Sequence, residues 1–203
     1  MRLHQFAQSP NPRRVRIFMA EKGIQDVEFV EVDIRAGENL SDAYRAKNPL
    51  GVVPTLELDD GTCIGESVAI CRYLEGIKPE PSLFGSDPVS QGRIEMWNRG
   101  VEFNVLLQVA MSFRNLSGIF ADREKTSKEF GEISLERLAQ GFDLLDRRLA
   151  ETEFMAGDSF SVADITALCS VDFASVVKVP VDDQRPNLQR WHQVVSARPS
   201  AGA

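Results

Sequence analysis

The chain has 203 residues, 43% of them hydrophobic and 26% charged, with a formal net charge of −7. That is room for one large domain or two small ones of ordinary soluble composition. Basic residues group only at Arg13-Arg14-Val15-Arg16, which disfavours nucleic acid as a partner because phosphate binding needs a concentrated positive field; no apolar run of spanning length and no basic-then-apolar leader points to a membrane or to export.

Residues Arg2 to Phe6 alternate and read as a first strand. Ser9-Pro10-Asn11-Pro12 then predicts a turn into a helix, with Asn11 as N-cap and Pro12 at the first helical position, where a missing N–H costs nothing. Val15, Phe18 and Met19 give that helix its packed stripe, and Lys22-Gly23 gives it a basic last turn and a glycine cap. Val27 to Val32 reads as a second strand, which makes a βαβ unit with a right-handed crossover. Residues 36–47 read as loop with a short helix from Ser41. Thr55-Leu56-Glu57-Leu58 and Thr62-Cys63-Ile64 flank Asp59-Asp60-Gly61, a hairpin signal, and Ser67 to Leu74 forms the next helix. The order βαβ then ββα over residues 1–77 is the thioredoxin-like plan.

Residues 78–87, opening on Lys78-Pro79-Glu80-Pro81-Ser82, read as a linker. From 88 to 203 the pattern is helical. Ile94, Trp97, Val101 and Val105 track one face of a long helix, and Leu135, Leu138, Phe142, Leu145 and Leu149 track a second. Ser161 and Asp164 make a capping box, with Phe160 placed to staple onto Ile165. A last amphipathic segment runs from about Leu188 to Ala197. The fold class is therefore α/β plus all-α: a thioredoxin-like domain followed by a helical bundle.

Three cysteines far apart, Cys63, Cys71 and Cys169, with no CxxC spacing, read as free thiols in a reducing compartment, the cytoplasm. His4 and His192 are the only histidines and no metal set surrounds either, so no metal is expected. The chemistry concentrates elsewhere. A proline heading a strand is commonly just an edge device, and X-Pro bonds are cis in only ~5–6% of folded cases. At Val53-Pro54, after Asn48-Pro49-Leu50-Gly51 and before a ββα unit, a cis bond would leave the Val53 N–H and C=O free to pair with a peptide. Glu66-Ser67 in a first helical turn either complements the helix dipole or, with the Ser67 N–H and hydroxyl, grips a ligand carboxylate while Glu66 meets an ammonium. Ser9 is either a turn residue or a hydroxyl beside a helix N-terminus that stabilises a thiolate. Asn11 is either the cap or part of that chemistry. Arg13-Arg14-Val15-Arg16 reads as a solvated helix face.

Four stretches, SPNPRRVRIFMAEKG, AKNPLGVVPTL, GESVAICRYLE and SFSVADI, together resemble a cytosolic glutathione transferase over essentially the whole chain, closest to the theta-like bacterial and fungal group. The resemblance implies a homodimeric detoxification enzyme that uses glutathione as cosubstrate and conjugates its thiolate to small hydrophobic electrophiles. It places the cysteinyl backbone of glutathione on Val53 with a cis Pro54, and the γ-glutamyl end on Glu66 and Ser67. Asn39 stands where theta-like relatives often carry a histidine near the glycyl carboxylate, and Ser9 aligns with the family's catalytic serine. Ser9, Asn11 or a bound water stabilises the thiolate, and the electrophile pocket has its wall in the 104–113 region. The same fold also serves glutathione-dependent peroxidases, isomerases and dehalogenases, and non-catalytic binding or regulatory proteins.

Overall fold

Leu3, His4 and Gln5 are all buried in the first strand, β1 (Arg2–Gln5), which opens a βαβ unit. The computed structural model describes all residues, 1–203. Helix α1 (Pro10–Lys22) buries Val15, Phe18 and Met19 and stops at Gly23, whose φ of 60° is the left-handed geometry that glycine adopts without a Cβ clash. Strand β2 (Glu28–Glu31) returns parallel to β1. The short helix α2 (Asp42–Arg45) is capped by Ser41, as its position suggests. Strands β3 (Thr55–Glu57) and β4 (Cys63–Gly65) form the expected hairpin, and α3 (Ser67–Ile77) follows. The sheet order is β2-β1-β3-β4, with β3 antiparallel to both of its neighbours.

Two buried charged groups tie this sheet and its helices together. Glu57 on β3 receives Lys47 Nζ at 2.8 Å and His4 Nε2 at 2.6 Å, with Arg2 at 3.5 Å. The Lys47 ammonium, then the His4 contact, hold its carboxyl down at about 2 against the opposing effect of burial. Lys22, fully buried at the end of α1, donates to the Pro79 carbonyl at 2.9 Å and to that of Pro81, and pairs with Glu75. Its three N–H donors thus pin the segment that leaves α3, which contains a second cis proline at Glu80-Pro81.

The expectation of a solvated face at Arg13–Arg16 does not hold. Arg14 is buried, Arg16 donates to Gln5 Oε1 at 2.7 Å and to the Ala7 carbonyl at 3.0 Å, and Arg13 reaches the Ala201 carbonyl at 3.0 Å. The guanidiniums satisfy backbone and amide acceptors that only the folded chain brings to them.

By internal packing the chain forms two units, one of Met1–Ser82 with Pro199–Ala203 and one of Leu83–Arg198. The second is helical: α4 (Pro88–Val101), α5 (Leu107–Leu116), α6 (Lys128–Leu149), α7 (Val162–Phe173) and α8 (Pro186–Ser196). Asp87 caps α4 by accepting the Val89 and Ser90 N–H groups at 2.9 and 3.1 Å. Between α4 and α5 the helix widens into one π-helical turn, Glu102–Leu106, so the long helix read from the apolar stripe is continuous but locally rewound. Ile94, Val101 and Val105 lie in the core as that stripe predicts, but Trp97 is only half-buried, its ring under the Arg148 guanidinium at 4.9 Å, while the polar Asn98 points inward. Leu138, Phe142, Leu145 and Leu149 of α6 are buried, with α8, whose Trp191 and Leu188 are also buried, packed alongside, and α7 is buried from Val162 to Val171. The capping box of Ser161 and Asp164 starts α7. No helix is long and apolar enough to cross a membrane.

Candidate functional site

Because β1 runs antiparallel to β3, and β3 to β4, the C-terminal ends of β1 and β4 and the N-terminal end of β3 share one rim of the sheet. Ser9 and Asn11 follow β1, Val53-Pro54 precede β3, and Glu66-Ser67 follow β4, so the topology brings all six to that rim. The register pair Thr55↔Gly65 makes Pro54 and Glu66 neighbours across the hairpin. Asn39 joins them through its Nδ2, which donates to the Gly51 carbonyl at 2.6 Å.

The start of α1 differs from the sequence expectation. Ser9 (φ −82°, ψ 144°), not Asn11, is the N-cap, and Pro10 takes the first helical position. Each of Ser9-Pro10 and Asn11-Pro12 offers a polar cap followed by proline. The earlier pair prevails because Pro12, at the third helical position, also lacks only an N–H that no helical carbonyl needed. A capping hydroxyl accepts from the second or third helical N–H, yet the third belongs to a proline, and Ser9 Oγ makes no capping bond. Asn11 therefore carries the one N–H among the first three helical residues, while its Oδ1 accepts from Arg14 Nη1 at 3.2 Å. The helix start presents a hydroxyl and a backbone donor that the chain itself does not use.

Val53-Pro54 is cis, as the resemblance implies. Neither the N–H nor the C=O of Val53 hydrogen-bonds within the chain, although the loop around it is heavily bonded. Its neighbour's carbonyl, Val52 O, accepts from Tyr44 Oη and from Asn48 Nδ2, both at 2.9 Å. Thr55 Oγ1 meets the same two groups, each at 3.0 Å. Asn48 Oδ1 takes the Leu50 N–H at 3.1 Å, and the Asn48 side chain packs against Gly65, where a Cβ would lie 3.2 Å from its amide nitrogen. The Asn39 Oδ1 is buried without a partner.

Glu66 is exposed, with φ 62° and ψ 119°, a conformation that costs a non-glycine residue of order 1–3 kcal/mol. Strain of this kind persists where surrounding structure enforces it, and here it turns the chain from β4 into α3. Ser67 is buried, and its hydroxyl takes no hydrogen bond within the chain. The N–H groups of Ser67, Val68 and Ala69 lie ahead of the first helical bond, from Ile70 N–H to the Glu66 carbonyl at 3.0 Å. An unused hydroxyl, free helix-start donors and an unpaired carboxylate therefore stand beside an unused strand edge. That set can hold an extended peptide by its backbone, its carboxylate and its ammonium.

Sequence reading missed Tyr44, Asn48 and Thr55 as the support of this loop. Asn48 carries a local signal, since Asn before Pro starts turns. Tyr44 gives only a weak one, a single aromatic in a four-residue helix, and its role depends on a carbonyl eight residues away.

Two family models match the chain: the glutathione S-transferase N-terminal domain over residues 3–82 and the glutathione S-transferase C-terminal domain over residues 109–199. Glutathione S-transferase 2 of Saccharomyces cerevisiae is 38% identical over 194 residues, 94% of this chain and 83% of its own length. A glutathione S-transferase domain-containing protein of Marinobacter aquaeolei has a fold matching with a TM-score of 0.95 at 41% identity, covering 98% of this chain and 99% of that one. A class Gtt2 glutathione S-transferase of Vibrio parahaemolyticus matches with a TM-score of 0.86 at 40% identity, covering 98% and 94%. With its fold, its cis-proline edge and its serine-led third helix in place, this chain belongs to the glutathione S-transferase family.

Proposed function

We propose that the protein is a cytoplasmic glutathione transferase that conjugates glutathione to small apolar electrophiles, a detoxification chemistry. The observation that carries the reading is the unused Val53 N–H and C=O beside the unused Ser67 hydroxyl and helix-start donors. Val53 pairs with the cysteinyl backbone of glutathione, Ser67 with the γ-glutamyl carboxylate, and Glu66 with the γ-glutamyl ammonium. Asn39 lies on the glycyl side, where its buried, unpartnered Oδ1 supports a contact with a ligand donor. The ligand's thiol then lies toward Ser9 and the Asn11 N–H. A free thiol with a pKa of ~8.5 is only a few per cent thiolate near neutrality. A hydroxyl donor and a helix N-terminus favour the charged form and raise that fraction. The thiol proton leaves to solvent, the sulfur bonds to the electrophilic carbon, and a leaving group such as chloride departs with the electron pair.

An apolar stripe supports assembly as a homodimer. Val89, Met96, Phe103 and Leu107 lie seven, seven and four residues apart along α4, the π turn and α5, and are exposed by 63, 59, 53 and 41%. A soluble chain ordinarily covers such a stripe with a partner. A sedimentation mass of twice the 22.6 kDa chain is expected; a monomer at micromolar concentration contradicts it.

Conjugation of a chloronitroarene tests the chemistry. Ser9→Ala should lower kcat at saturating glutathione by ~10- to 100-fold, the loss expected for one charge-assisted hydrogen bond to the thiolate. Asn11→Ala, which keeps the backbone N–H, should lower it less than threefold. Full turnover in Ser9→Ala would reject the hydroxyl as the thiolate's donor.

A further inference from the structure

The bonds around Val52 form a closed set. Tyr44 has one O–H and gives it to Val52 O. Thr55 therefore donates to the Tyr44 oxygen, and its own oxygen accepts the second N–H of Asn48, whose first N–H also goes to Val52 O. Each donor hydrogen in the ring is used once and Val52 O accepts two of them, and Tyr44, Asn48 and Thr55 are 6%, 3% and 0% exposed. Burial pushes the Tyr44 pKa up, with its hydrogen bond to Thr55 opposing, so the phenol keeps its proton at neutral pH.

The consequence lies one bond away. The Val52–Val53 amide is trans, since the cis bonds of the chain are at Pro54 and Pro81. In a planar trans amide the C=O and the N–H point in opposite directions. Two donors converging on Val52 O fix the tilt of that plane, and the tilt of the plane fixes the direction of the Val53 N–H, away from Tyr44, Asn48 and Thr55. That N–H has no acceptor within the chain. We infer that Tyr44, acting with Asn48 and Thr55, is a positioning residue that aims the Val53 N–H at the backbone carbonyl of bound glutathione. The inference rests on the reading of Val53 as the glutathione edge. It adds that the edge is held in its binding orientation by a buried phenol behind it, before any ligand arrives. Preorganisation of this kind acts on ligand affinity and leaves the reacting sulfur alone.

Tyr44→Phe in the full chain removes one hydroxyl with little change of shape. Calorimetry should show the glutathione dissociation constant rising about tenfold, equivalent to about 1.4 kcal/mol. The kcat at saturating glutathione should stay within about twofold of wild type, because the group acts on binding. The same pair of proteins is then titrated with a glutathione analogue whose cysteinyl carbonyl is a thioamide, a weaker acceptor. There the difference between wild type and variant should fall below about threefold, because the aimed N–H has less to meet. An equal loss for both ligands overturns the inference, since general loosening of the fold does not discriminate between carbonyl and thiocarbonyl. Ser67→Ala is run in parallel. If it weakens glutathione binding while Tyr44→Phe does not, the positioning role is wrong and the glutathione edge stands. If neither variant changes affinity, the edge itself is misplaced and the inference falls with it.

Discussion

Replacing Asp164 by alanine should destabilise the protein by about 4 kcal/mol and lower its melting temperature by roughly 8–16 °C, the largest loss expected of any single substitution described here. The carboxylate accepts four hydrogen bonds: Met155 N–H at 2.9 Å, Ser161 N–H at 3.0 Å, Ser161 Oγ at 3.1 Å and Trp191 Nε1 at 2.9 Å. Met155, Ser161 and Trp191 are all essentially inaccessible to water. Alanine would strand at least three of these donors, each at about 1–3 kcal/mol, and would remove half of the box that starts α7. The carboxyl is buried deeply enough that its pKa rises to about 6, with the four donors holding it from rising further. Its native pKa thus lies above the ordinary 3.8, so the native state holds the proton more tightly than the unfolded chain. The contribution is full below about pH 4 and declines as pH rises through 6. Urea titrations at pH 4 and pH 7 should therefore show the gap between wild type and Asp164→Ala narrowing at the higher pH. A loss under 1 kcal/mol at both would mean that water replaces the carboxylate.

Gly141→Ala should cost about 3 kcal/mol despite alanine's better helix propensity, which is worth ~1 kcal/mol. Gly141 sits in the middle of α6 where the π-helical turn passes. A Cβ there would lie 2.2 Å from the Asn104 carbonyl oxygen, 3.1 Å from its carbon and 3.2 Å from Val105 Cγ2. The nearest atoms are backbone, so neither helix can yield by turning a side chain. The wide turn also loads its carbonyls unusually: Gln108 Nε2 donates to the Phe103 carbonyl at 2.9 Å and Asn104 Nδ2 to that of Gly100 at 2.8 Å. Separating the helices would disturb those bonds too. Gly76, exposed near the end of α3 with nothing within 4 Å of a Cβ, is the control. Gly76→Ala should gain about 0.5–1 kcal/mol. Opposite signs at the two glycines in chemical denaturation are the expected result; a stabilising alanine at 141 contradicts the close approach.

What the sequence made legible is what depends on short range. The Gly23 cap, the Ser41 cap, the hairpin at Asp59-Asp60-Gly61 and the Ser161–Asp164 box each need only a few neighbouring residues to be recognised. The cis bond at Val53-Pro54 is legible only through the family resemblance, since an X-Pro bond by itself is cis in few folded cases. Where two local solutions compete, the sequence does not decide: Ser9-Pro10 and Asn11-Pro12 both satisfy the rules for a helix start, and the earlier pair prevails because Pro12 is tolerated inside the first turn. Tertiary partners were invisible. The acceptors of Arg13 and Arg16 come from the chain's far end and from β1, so a basic run that looks solvated is largely tied down. The π turn is hidden because Val101 and Val105 keep a helical spacing through it, and its close approach to Gly141 depends on a helix far along the chain. Tyr44 acts through Val52 and Thr55, and nothing in a four-residue helix announces a carbonyl it will reach after the next turn.

Whether glutathione lies along the Val53 edge with its γ-glutamyl end on Glu66 and Ser67 is decided by calorimetric titration of glutathione into wild type and Glu66→Ala. Saturable binding to the wild-type protein is expected at submillimolar to millimolar ligand. Glu66→Ala should raise the dissociation constant about tenfold, the loss of one ion pair to the ligand of about 1–2 kcal/mol. No heat from the wild type at millimolar glutathione, or equal affinity in the two proteins, would contradict that placement.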